Sequence, residues 1–161
     1  MIIDFHNHIG KDKDGIFQKP KELLRRMKEG CKIDHAVIFP FNDTDAGPAF
    51  SKVNNRIAKI VKIYPKKFTG FARINPNDGK SAIAEVERAF SKLKLKGLKL
   101  HPKANFFNLN SKIVFSIFKV VAKFKRPVLI HTDSKITLQR VQALAKYFPE
   151  IPIILAHMGE Y

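Results

Sequence analysis

The 161-residue chain has one cysteine, no tryptophan, and only 14 acidic residues against 30 lysines and arginines. A lone cysteine, Cys31, excludes an intramolecular disulfide and fits a reducing compartment. No apolar run approaches the roughly 18–20 residues of a membrane span. The opening MIIDFHNH lacks the basic flank and long apolar region of a signal peptide. A cytoplasmic protein with no membrane partner is the expectation. Glycine-rich phosphate loops, zinc-finger spacings and RNP-like aromatic motifs are also missing, so nucleotide and nucleic-acid modules find no support. The shortage of acid leaves a formal net charge of +16. Its lysines are spread over helical faces, as in KELLRRMKEG and AFSKLKLKG, and form no block. Solvated helix surface is the first reading and a polyanion-binding surface the second; nucleic acid is not the expected partner.

What is present is a repeating unit. At 45% hydrophobic residues the chain can build one ordinary core. Short β-branched or aromatic runs alternate with longer amphipathic stretches. The strand candidates span 1–8, 35–41, 68–76, 97–102, 127–132 and 151–159. Between them, helices are expected from Pro20 to Gly30, around 48–64, from a Ser81 cap to Gly97, from Ser111 to Pro127, and from Ser134 to Pro149. Asn54 and Asn55 break the apolar pattern of the second. Strict β-α alternation argues for a parallel sheet covered by helices, either open and doubly wound or closed as a (β/α)8 barrel. The first βα turn, HIGKDKDG, has no GxGxxG, which weakens the nucleotide-binding open sheet.

Polar residues at the strand ends favour the barrel. Ile3 and Phe5 alternate with Asp4, His6 and His8; Leu98 and Leu100 with Lys99 and His101; Val128 and Ile130 with His131; Ile154 and Ala156 with His157. The apolar parity would meet the helices and the other would face the interior, placing five histidines at the C-terminal mouth where such barrels carry their active sites. Crowded imidazoles are costly to bury without partners, whereas a divalent cation makes ligands of their lone pairs. Nitrogen donors favour zinc, with manganese, iron or cobalt as alternatives. Lys99, with Arg73 on the inward parity of the third strand, would favour a small anionic substrate.

DFHNH, GLKLHP, PVLIHT and ILAHMG, in this order and spacing, resemble the strands of the amidohydrolase superfamily. The resemblance is closest to the amidohydrolase-related group that includes the aminocarboxymuconate-semialdehyde decarboxylase-like enzymes. It implies a metal-dependent hydrolase acting through activated water on an amide, ester or lactone, or a non-oxidative decarboxylase using the same parts. Carried over, it makes His6, His8 and His131 metal ligands. His157 becomes the catalytic acid/base of a mononuclear site, or a ligand of a binuclear one. Lys99 is a substrate-orienting cation in some branches, a bridging carbamate or a structural residue in others; His101 would line the mouth with it.

Only six of eight βα units can be counted, so the expected fold is a TIM-type (β/α)8 barrel in a single domain, 1–161, C-terminally incomplete. The family's eighth-strand aspartate has no counterpart here, and Asp133, close to His131, would point elsewhere. A fragment, a barrel completed by self-association into a homo-oligomer, and a degenerate non-catalytic basic binding module are the three readings that remain. NDTDAGPAF and PKANFFNLN are expected to wall the pocket, with Phe106 and Phe107 either stacking on a ligand or packing over a helix.

Overall fold

A computed structural model describes residues 1–30 and 32–159; Cys31 lies outside the described residues. Six parallel strands form the body of one sheet: β1 (Ile3–Lys11), β3 (His35–Pro40), β4 (Phe68–Arg73), β5 (Gly97–Leu100), β6 (Val128–Ile130) and β7 (Ile153–Leu155). A two-residue strand, β2 (Phe17–Gln18), pairs antiparallel with the end of β1. The sheet order is β2-β1-β3-β4-β5-β6-β7.

Helices α1 (Pro20–Glu29), α2 (Ser51–Ile63), α3 (Lys80–Ser91), α5 (Lys112–Phe124) and α6 (Lys135–Tyr147) follow the parallel strands, with a single-turn α4 (Pro102–Asn105) after β5. Pro20 occupies the first turn of α1, whose end falls at Gly30, as a proline start and glycine stop require. Ser134 accepts the Thr137 amide at 3.2 Å and caps α6. The expected cap at Ser81 is not used: the N-cap of α3 is Gly79, two residues earlier, where a one-turn helix over Pro76–Asp78 leads into it. None of the described helices is long and apolar enough to cross a membrane.

The alternation read along the strands is present in the packing of β3 to β6, but in β7 it is reversed: Ile153 packs on the helical core, while Ile154 and Ala156, expected to meet the helices, lie on the inner cluster. Ala36, Ile38, Phe68, Ala72, Leu98, Leu100, Val128 and Ile130 are buried in the large core between sheet and helices, with Ile57, Val86, Phe118 and Leu144. The opposite parity, Val37, Phe39, Phe71 and Leu129, forms a second cluster with Ala156 on the inner face. In a flat sheet, five strand spacings of about 4.8 Å would put β1 and β7 about 24 Å apart. Yet the rings of His6 on β1 and His157 just after β7 lie 4.8 Å apart. The sheet is therefore curled almost shut, a partial barrel rather than an open doubly wound sheet. Its first and last strands do not pair. A cleft between them is lined by Asp4, Phe5, His6, Leu155, His157 and Met158, and Phe5 is 43% exposed there because no helix covers that edge.

Candidate active site

The site grows from an irregularity in β1. Asp4 pairs with Ala36 but Asn7 pairs with Ile38, so three steps on β1 match two on β3. Such a bulge re-aims the side chains within it. The Asp4 carboxylate accepts the His6 amide at 3.0 Å, and buried Asn7 donates to the carbonyls of Asp4 and Val37, each at 3.4 Å. The result is that His6 and His8 face each other, Nε2 to Nε2, at 3.3 Å. His8 Nδ1 lies 3.3 Å from the Pro40 carbonyl. A carbonyl can only accept, so Nδ1 carries the proton and Nε2 presents its lone pair, the arrangement a metal-binding imidazole needs. Phe39 packs edge-on against both rings and Phe41 stacks on His8 at 4.7 Å.

The other histidines lie just past their strands. His131 follows β6, and His157 sits in a turn over Ala156–Gly159 with a left-handed backbone, φ 53°. The parity expected to carry His157 inward does not reach it, since β7 ends at Leu155; the turn delivers it instead, anchored by the Thr132 hydroxyl on the Ala156 carbonyl at 2.5 Å. His157 Nε2 and His131 Nδ1 are 3.1 Å apart. His101 stacks on His131 at 3.7 Å between ring centres and its Nδ1 accepts the Ala104 amide at 3.3 Å, capping α4. Its outward nitrogen is therefore a hydrogen-bond donor, suited to a substrate oxygen rather than to a metal.

Beneath the imidazoles lie two cations. Lys99 is 0% and Arg73 1% exposed. Lys99 Nζ has no hydrogen-bond partner and stands 5.1 Å above the Phe39 ring. Arg73 donates to the Pro40 carbonyl at 3.4 Å and to Asn105 Oδ1 at 3.2 Å, leaving Nε unpaired. Neither forms an ion pair among the described residues. Burial, then Arg73, lowers the Lys99 ammonium to about 7, and burial lowers Arg73 to about 10 against the pull of Asp12. Burial and then Lys99 hold His6 and His8 near 3 and His131 near 4. At neutral pH these three imidazoles are held uncharged.

Two donors on a tetrahedral ion, each about 2.0–2.1 Å away, are separated by about 3.3–3.4 Å. His6 and His8 match such an edge. The single three-histidine set expected from the sequence is not formed: among the described residues, no group of three or more His, Cys, Asp or Glu side chains closes on one point. His131 turns to His157 instead, making two pairs in one chain of rings. Asp133 points away, as expected, accepting from Thr137 Oγ1 at 3.1 Å and facing Lys103 Nζ at 3.7 Å. Phe107 packs on the core and Phe106 is 85% exposed.

Missed from the sequence is the clamp that sets Arg73. Asn54, fully buried on α2, donates to the Arg73 carbonyl at 3.0 Å and to Glu85 at 2.8 Å, and accepts the Arg73 amide at 2.9 Å. Beyond it, Asn105 donates to Asn42 at 3.1 Å, and Asn77 donates to the Asn105 carbonyl at 2.8 Å. The loops after β3, β4 and β5 are thus tied together around one guanidinium. The signal was visible as the asparagine that interrupts an apolar stripe.

Residues 3–161 match the amidohydrolase family model. The chain belongs to the amidohydrolase family. Among its relatives is 2-amino-3-carboxymuconate-6-semialdehyde decarboxylase of Dictyostelium discoideum, 32% identical over 49% of this chain and 22% of the relative. The dihydroorotase of Buchnera aphidicola is 23% identical over 96% of this chain and 47% of the relative. The chain thus spans about half or less of the curated relatives it matches. A solved 5-carboxyvanillate decarboxylase of Novosphingobium aromaticivorans, complexed with manganese and 4-hydroxy-3-methoxy-5-nitrobenzoic acid, superimposes with a TM-score of 0.76. Its sequence identity is 16%, over 99% of this chain and 65% of that one. At that identity the likeness is one of fold, and it makes the curled sheet a partial TIM barrel.

Proposed function

We propose that this member of the amidohydrolase family is a metal-dependent enzyme of a small carboxylate-bearing substrate, and that its reaction is non-oxidative decarboxylation. The observation that carries this reading is the pair of buried cations, Arg73 and Lys99, without a carboxylate partner beside four clustered imidazoles. Buried charges are ordinarily paired, and an anionic substrate is the group that would pair these. Phe39 and Phe41 add flat apolar walls suited to an unsaturated or aromatic ring. His6 and His8 would hold a divalent ion, with His131, paired to His157 at 3.1 Å, a further donor. Manganese, as in the solved relative, and zinc, as nitrogen donors favour, are the leading candidates, ahead of iron and cobalt. Bound there, the ion would supply Lewis-acid charge to the substrate oxygens.

The chain's own groups do the rest. Lys99 and Arg73 orient the anion, and the outward nitrogen of His101 donates to a substrate oxygen. His157, at the exposed rim, supplies the proton. The bond from substrate carbon to carboxylate breaks, its electron pair stays on that carbon, and the proton takes the pair as carbon dioxide leaves. Hydrolysis of an amide, ester or lactone is the second reading, favoured by the alignment with a dihydroorotase over 96% of this chain. In it His157 would take a proton from water instead.

The test is carbon dioxide release from a panel of carboxylated phenols and unsaturated dicarboxylates by metal-loaded protein. Turnover lost in His157→Asn with metal retained supports the assignment. Turnover restricted to cyclic amides or lactones moves the reaction to hydrolysis, and none on either class defeats both readings.

A further inference from the structure

We propose that the protein carries a second site, remote from the imidazoles, that binds an amphipathic carboxylate of the fatty-acid type. It is a groove of about 720 Å³ between the second half of α2, the start of β4 and the turn from α3 into β5. All strands but β2 run parallel, so this groove lies at their N-terminal ends, opposite the histidines. Its size falls within the range of small-molecule sites, roughly 300–1,000 Å³.

The lining separates into two chemistries. Val61, Phe68, Leu93 and Leu95 give an apolar floor, while Lys59, Lys62, Lys92, Lys94 and Lys96 stand around it. The stretch from Lys92 to Lys96 produces this directly. Lysines 92, 94 and 96 are exposed and leucines 93 and 95 turn inward, helped by a left-handed residue at Lys94, φ 60°. Among the described residues, no aspartate or glutamate lines the groove. None of the five lysines is in an ion pair among the described residues. Five lysines without an acid give the rim one sign of charge, which an anionic head group complements.

The polar groups at the floor identify the tail. The Thr69 hydroxyl is engaged by His35 Nε2 at 2.8 Å, and Asn55 Oδ1 by Arg88 at 2.8 Å. A docked peptide would leave its backbone amides short of partners there, at the usual penalty for buried unpaired groups. An acyl chain asks for none, and it can lie along the floor and the apolar stems of the lysines. A nucleic-acid backbone, charged along its length, would make no use of the floor.

The experiment is isothermal titration with dodecanoate below its micelle concentration, at low salt, alongside decanol and butyrate. Amide shifts of 15N-labelled protein locate the binding. The expected result is one equivalent of dodecanoate with shifts centred on Val61, Leu93 and Leu95. Binding should weaken at least tenfold in the Lys62→Glu/Lys96→Glu variant and for decanol, and butyrate should show none. Lys59→Glu, which places a like charge at the exposed rim, should also weaken binding while keeping its denaturation midpoint. The proposal is overturned if dodecanoate does not bind, if the charge-reversed variant binds within twofold of the parent, or if the shifts centre on the histidines.

Discussion

Replacing Asn54 by alanine tests how the site is held. The substitution removes three hydrogen bonds, two to the Arg73 peptide and one to Glu85, in a place with 0% exposure. The Arg73 amide and carbonyl are left without those partners in a dry interior, at about 1–3 kcal/mol for each buried group stranded. Glu85 keeps Arg88, at 2.7 Å and 2.9 Å, so its loss is smaller. The sum is about 2–6 kcal/mol, against a total stability of roughly 5–15 kcal/mol for a domain of ordinary size. Urea unfolding of Asn54→Ala should show a large drop in midpoint at an unchanged slope. A drop worth less than about 1 kcal/mol would refute the claim that Asn54 clamps the end of β4.

Lys99→Met should raise the unfolding free energy at pH 7 by about 1–3 kcal/mol and with it the urea midpoint, since a partnerless buried polar group gives way to an apolar one of similar length, while weakening binding of a carboxylate inhibitor at least tenfold. A lower midpoint would mean that Lys99 has a structural partner. The sign of the pH dependence is set by the imidazoles: His6 and His8 protonate near 3 when folded and near 6.5 when unfolded. The unfolded chain therefore binds more protons between those values, and stability falls as pH falls from about 6.5 towards 3. Metal-free protein should show its urea midpoint declining between pH 6.5 and 4.5, and the decline should shrink in His8→Gln; a flat profile would contradict the neutral cluster. Lys99 acts in the same sense at higher pH, with stability rising between about 7 and its ordinary 10.5, an increment that Lys99→Met should abolish.

Much of this was legible in the residues because parity along a strand is a geometric constraint. Leu98 and Leu100 had to face the helices once Lys99 faced in, and the same reasoning placed Arg73 inward before any contact was known. It failed where backbone geometry departs from the regular strand. The bulge between Asp4 and Asn7 leaves no mark in a pattern of alternation, and β2 is two residues held by pairing with Gly10 and Lys11. His157 reaches the cluster through left-handed turn residues that strand periodicity does not describe. Asn54 interrupts the apolar pattern of its helix, but its partners, Arg73 and Glu85, are 19 and 31 residues away, and only the fold brings them within reach.

The proposed reaction depends on His6 and His8 forming a metal-binding edge. Mass-spectrometric metal analysis of protein loaded with zinc or manganese and then freed of excess, compared with His6→Ala and His8→Ala, measures it directly. A stoichiometric ion is expected in the parent and its loss in both variants, with folding retained. A parent that retains no metal, or variants that keep their full complement, would contradict it.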